Sequence, residues 1–194
     1  MRKLFGVLIF ALMIFVLGAC SSNSKANTIS AADLSERESA ILSTASEHSF
    51  VFDFHLASES KKVSVWIEKY KDGELVDDKL NKLSLMAEGN GAIIFTTPKE
   101  KGEEKKRTFN IGISSNGSTG STVRLDNDVD QKLSFSGSFK INEKSVEEEE
   151  AVLAGIIYSE DKKDTISLRS SFYEDPSELQ KYDVVYLFKA EFQE

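Results

Sequence analysis

The 194 residues carry 32 acidic against 24 basic side chains, a formal net charge of −8, with 40% hydrophobic residues and one cysteine. That balance argues against nucleic acid as a partner, because a polyanion is bound by a net or local basic surface. The lone cysteine, Cys20, excludes structural disulfides and thiolate metal sites from the rest of the chain, whose core must stand on packing alone.

In chain order, Arg2 and Lys3 precede an apolar stretch from Leu4 to Leu17, the charged and hydrophobic regions of a secretory signal. Leu17, Gly18, Ala19 and Cys20 follow directly: an aliphatic residue, two small ones and the cysteine. They resemble the lipobox of bacterial lipoproteins. The resemblance implies that residues 1–19 are removed between Ala19 and Cys20, and that the Cys20 thiol carries a diacylglyceryl group. Acylation, with palmitate for instance, would then hold the protein on the extracytoplasmic face of the cell membrane. Two buried acyl chains, at about 0.8 kcal/mol per methylene, exceed the marginal hold of one. Two other outcomes remain open on these residues: an uncleaved anchor, since the 17 residues from Leu4 to Cys20 reach the short limit of a membrane span, and ordinary secretory cleavage after Ala19. The latter would leave Cys20 as a free thiol in an oxidising compartment.

Residues 20–30 read as the lipidated cysteine and a flexible polar tether, and residues 31–194 as one domain. A helix is expected over about Ala31 to Ser46, opened by Ser30 and Asp33 at capping-box spacing, with Leu34, Ile41, Leu42 and Ala45 turned toward the domain. From Phe50 the period becomes two. Strands are expected at about Phe50–Leu56, Val63–Tyr70, Leu80–Ala87, Ala92–Thr97, Thr108–Ser114, Ser121–Asp126, Lys132–Ile141, Glu150–Ser159, Thr165–Tyr173 and Tyr182–Phe192. Ala151–Tyr158, apolar on both faces, is expected to be covered on both sides. Asp72 with Gly73, Gly89-Asn90-Gly91 and Asn116-Gly117 carry turn chemistry, the last two as tight hairpins. The lysine-rich run from Lys99 to Arg107, interleaved with Glu100, Glu103 and Glu104, reads as a solvated loop. The whole is mainly β: an antiparallel β-sandwich, or alternatively a lipocalin-like barrel, with one N-terminal helix.

Three groups could carry chemistry. With Val63, Val65 and Ile67 facing the core, Trp66 and Tyr70 would stand ~13 Å apart on an open sheet face, a ligand-binding pair able to stack on sugar rings. A one-residue slip against the preceding strand would bury Trp66 instead. Asp126, Asp128 and Asp130 repeat the one-three-five spacing of a calcium loop, although Gln131 and Gly137 occupy its glycine and glutamate positions, so any calcium site is weak and no other cofactor is implied. Asp53 and His55, with Glu68 expected on the neighbouring strand, could hold zinc or a general base, against the plainer alternative of a solvated face.

No Gly-x-Ser-x-Gly elbow or phosphate-cradling glycine loop is present. The expectation is therefore a membrane-tethered, non-catalytic module binding a cell-envelope glycan or protein, in a host that the Lys, Glu, Ile and Ser bias places among Gram-positive bacteria. The alternatives are a small envelope hydrolase or calcium-dependent carbohydrate-active domain, which would need two converging carboxylates, and a lipocalin-like carrier of an apolar molecule.

Overall fold

The computed structural model describes residues 27–57, 60–99, 106–129, 132–133, 135–145, 150–160 and 176–193. The elements run β1 (Thr28–Ala31), α1 (Glu36–Ala45), β2 (Ser46–His55), β3 (Lys61–Lys71), β4 (Glu74–Ala87), β5 (Asn90–Pro98), β6 (Arg107–Ser115) and β7 (Ser118–Asp126), then β8 (Phe135–Lys140), β9 (Glu143–Ser145), β10 (Ala151–Ser159), α2 (Pro176–Leu179) and β11 (Val184–Gln193). Two antiparallel sheets form, ordered β7-β6-β5-β2-β1-β9 and β4-β3-β11-β10-β8. They remain separate sheets, so the fold is a sandwich and not a closed barrel.

Period-two alternation builds the core. Phe50, Phe52 and Phe54 of β2, Ile93 and Phe95 of β5, and Phe109, Ile111 and Ile113 of β6 face Val63, Val65 and Ile67 of β3 and Tyr186, Phe188 and Phe192 of β11. Phe188 is the hub: its ring centroid lies 5.4 Å from that of Phe50, 4.9 Å from Phe95 and 6.2 Å from Phe109. Such tilted and edge-on pairs add to area burial. β10 is buried on both faces as expected, because Leu179 and Tyr182 join Ile157, Val185 and Leu187 in a second apolar cluster on the outside of its sheet.

Several expectations change. Thr28–Ser30 are not tether and Ala31 does not open the helix: together they form a strand, paired on one side with β2 and on the other with β9, and Ile29 is fully buried. The helix is shorter than expected and is capped by Ser35, whose side chain accepts from the Glu38 N–H while Glu38 reaches back to the Ser35 N–H. It buries none of its residues, and Ile41 is 60% exposed, so its apolar positions do not turn to the core. Gly89-Asn90-Gly91 is no hairpin, since it carries the chain from β4 in one sheet to β5 in the other; the β2–β3 connection likewise crosses between sheets, so those two strands never pair. The true two-residue hairpins are Asp72-Gly73 and Asn116-Gly117, each with both residues at positive φ, the left-handed geometry that matches strand twist. Arg107 belongs to no solvated loop: it opens β6 and is 7% exposed. The strand expected over Thr165–Tyr173 lies outside the described residues.

Candidate functional site

Strand polarity gives the sandwich two distinct ends. β1 starts at Thr28 opposite His55, which in turn pairs with Asn90. At the other end Arg107 pairs with Asp126, and Val184 with Lys71.

At the Thr28 end a cleft of about 330 Å³ opens on the six-stranded sheet, lined by Thr28, Ser30, Asp53, Phe54, His55, Asn90 and Gly91. Alternation on β2 places Asp53 and His55 on the same outer face, and the imidazole Nδ1 lies 2.8 Å from Asn90 Oδ1, which orients the ring. The lining thus offers one carboxylate, one imidazole, one amide and two hydroxyls, a set suited to a small polar ligand. Glu68 does not join Asp53 and His55, because β3 lies in the opposite sheet.

On the outer face of that opposite sheet, Trp66 and Tyr70 do share a side, as alternation implies, yet Trp66 is only 3% exposed. The ammonium groups of Lys82 and Lys189 lie 5.5 and 5.9 Å from its ring centroid, cation–π contacts made by side chains that also roof the indole. Glu68 ties the group together, accepting from the Tyr70 hydroxyl at 2.7 Å, from Lys189 at 2.8 Å and from the Trp66 indole at 3.5 Å. Burial and the Glu68 carboxylate push the Tyr70 phenol above its ordinary range. Burial works against the charge on Lys189, but hydrogen bonds to Glu68 and Glu150 outweigh it and hold its pKa above the ordinary lysine value. Trp66 therefore occupies neither the sandwich core nor an open stacking platform.

At the end remote from Thr28 the core turns polar. Lys69 continues the inward series of Val63, Val65 and Ile67, and its ammonium lies 2.7 Å from Asp126 Oδ2 with the two side chains 3% and 5% exposed. The Tyr186 hydroxyl donates to the same oxygen at 2.7 Å, and the backbone N–H of Asp128 donates to Oδ1 at 2.9 Å. Lys69 also reaches the Asp128 carbonyl at 2.7 Å, and Lys71 pairs with the Asp128 carboxylate. The Lys71 hydrogen bond, then the nearby Lys69 charge, hold the Asp128 carboxyl below its ordinary range. The Arg107 guanidinium stacks 3.1 Å from the Tyr158 ring centroid, with its Nε buried and without a hydrogen bond.

Asp126 and Asp128 are thus each engaged by lysine ammonium groups, and Asp130 lies outside the described residues. Among the described residues no three His, Cys, Asp or Glu side chains gather as a metal site. Cys20 and Ala19 also lie outside the described residues. Lys69, Arg107, Tyr158 and Tyr186 were not singled out by motif, although a signal existed. Lys69 and Arg107 each occupy an inward position at the end of an otherwise apolar series, where a charge demands a partner.

The fold and these sites define a class: a two-sheet antiparallel sandwich with a polar-ended core and a shallow polar cleft at the opposite end. The chain belongs to the YgaN domain family, whose model matches residues 28–192. The match begins at the first residue of β1 and runs almost to the end of β11, so it covers the whole sandwich. No curated protein and no solved structure matches the chain.

Proposed function

We propose that this protein is a lipid-anchored, non-catalytic binding module, held on the extracytoplasmic face of the cell membrane through Cys20 and offering its cleft to a polar cell-envelope ligand. The observation that carries the reading is chain order: an apolar leader, Leu17-Gly18-Ala19-Cys20, seven small or polar residues, and then at once the first strand of the sandwich. A leader placed so close to a folded edge is economical as an address and a tether. The binding role draws support from the cleft, whose lining holds one carboxylate, Asp53, rather than the converging pair a hydrolase of this kind needs. The packed aromatic interior supports a surface site over carriage of an apolar molecule inside the fold.

Metabolic labelling with an alkyne-bearing palmitate in a lipoprotein-processing host tests the anchor. The full chain is expected to take up label and to partition into detergent, and Cys20→Ser to lose both. Recovery of the native chain with residues 1–19 still attached to an unmodified Cys20 would overturn the proposal.

A further inference from the structure

We infer that Lys69 and Asp126 condense to an amide, an isopeptide bond that joins the two sheets of the sandwich. This step is independent of the anchor and of the cleft.

Four features of the polar end converge on that chemistry. First, Nζ of Lys69 lies 2.7 Å from Asp126 Oδ2, one bond short of the carboxyl carbon, with both side chains almost wholly withdrawn from water. The condensation starts when a proton passes along that contact from Nζ to Oδ2, leaving a neutral amine beside a carboxylic acid. Second, the two oxygens are held differently. Oδ1 accepts the Asp128 N–H at 2.9 Å, where it can receive negative charge when Nζ adds to the carbon, and Oδ2 accepts the Tyr186 hydroxyl at 2.7 Å, where it can depart. Third, the Asp128 carboxylate lies 3.5 Å from Nζ and can pass a proton onward. Fourth, aromatic rings pack on the core side of the pair: Tyr186 and Phe109 have centroids 4.6 Å apart, and Tyr158 and Tyr186 5.9 Å.

The step balances without a co-reactant. One proton moves from the ammonium to Oδ2; the Nζ–Cγ bond forms; a second proton leaves Nζ through the Asp128 carboxylate to Oδ2; the Cγ–Oδ2 bond breaks and one water departs. Nothing is oxidised or reduced. Groups fixed in such contact react with effective molarities on the order of 10⁵ to 10⁸ M. β3 and β7 belong to different sheets, so the bond would stitch the layers together in a chain whose single cysteine lies ahead of the sandwich.

Mass spectrometry of the purified full chain decides the matter. The folded wild type is expected to be lighter than its open-chain mass by one water, against Lys69→Arg prepared in parallel and corrected for the side chain, and its digest to contain a branched peptide joining the Lys69 and Asp126 segments. Asp126→Asn should give the same branch with loss of ammonia in place of water. The wild type needs no variant to fold: linear Lys69 and Asp126 peptides at full mass, from protein shown to be folded, would establish an ion pair only and overturn the bond, and so would a missing water mapped to any other position.

Discussion

His48 enters the sandwich beside Phe50, its ring parallel to the phenyl with centroids 6.5 Å apart, and its Nε2 is buried without a hydrogen bond. Burial pushes the imidazole below its ordinary pKa of 6.5, Glu47 opposes this, and the Arg107 charge adds to it. A folded-state pKa below the unfolded value means that the native state prefers the neutral ring. The stability tied to that preference is complete above about pH 6.5 and is lost as pH falls through the depressed value. Urea midpoints measured from pH 7.5 downward are therefore expected to fall below about 6.5 in the wild type and to fall less steeply in His48→Phe. Parallel curves for the two proteins would show that the imidazole stays neutral without cost.

The same scale explains what alternation could and could not reveal. It separated Val63, Val65 and Ile67 from Trp66 and Tyr70 and left open which side is the core; the sheet turns the aliphatic side inward. Trp66 is nevertheless buried on the outward side, because its cover comes from Lys82 on β4 and Lys189 on β11, neighbours known only once the strand order is known. At the acidic triplet local spacing suggested a shared ligand; in the structure Asp126 points inward to a lysine on the opposite sheet.

Among the elements, α1 is stabilised by its ends more than by its faces. Its reciprocal Ser35–Glu38 box satisfies N-terminal donors, Glu36 and Glu38 lie in the first turn where the dipole favours them, and no helical residue is buried. Ser35→Ala should accordingly remove about 1 kcal/mol of helix stability, seen as faster amide exchange in α1, while the urea midpoint of the sandwich barely moves. If the midpoint fell by the whole amount, α1 would be part of the cooperative core. At this scale the longer strands were legible from period two, and the Asp72-Gly73 and Asn116-Gly117 turns from their composition. β1 and β9 were not, since Thr28–Ala31 and Glu143–Ser145 are too short to display a period, and only the backbone edges they complete define them. Ser30–Asp33 and Ser35–Glu38 both offer capping spacing; the first serine was already engaged in the β1 ladder, which leaves the second to open the helix.

For the whole molecule the direction of β1 is decisive. Seven residues separate Cys20 from Thr28, a link that even fully extended spans at most ~29 Å, while β2, ten residues long, runs ~30 Å from its Thr28-facing end to the polar end. Anchored at Cys20, the domain would keep the cleft of Asp53, His55 and Asn90 near the bilayer and present the Lys69–Asp126 end away from it. Which end would face the membrane under the proposed anchor cannot be read from residues 1–20, because it depends on β1 lying antiparallel to β2. With Cys20 acylated, a second cysteine can be labelled alone. Ser118, in the Thr28-end hairpin, and Glu74, after the opposite turn, are both exposed. On vesicles bearing headgroup quenchers, a fluorophore at Ser118→Cys is expected to be quenched more strongly than one at Glu74→Cys. Equal quenching would mean that the link lets the domain tumble freely, and stronger quenching at Glu74 would mean that the polar end, not the cleft, is the face turned to the lipid.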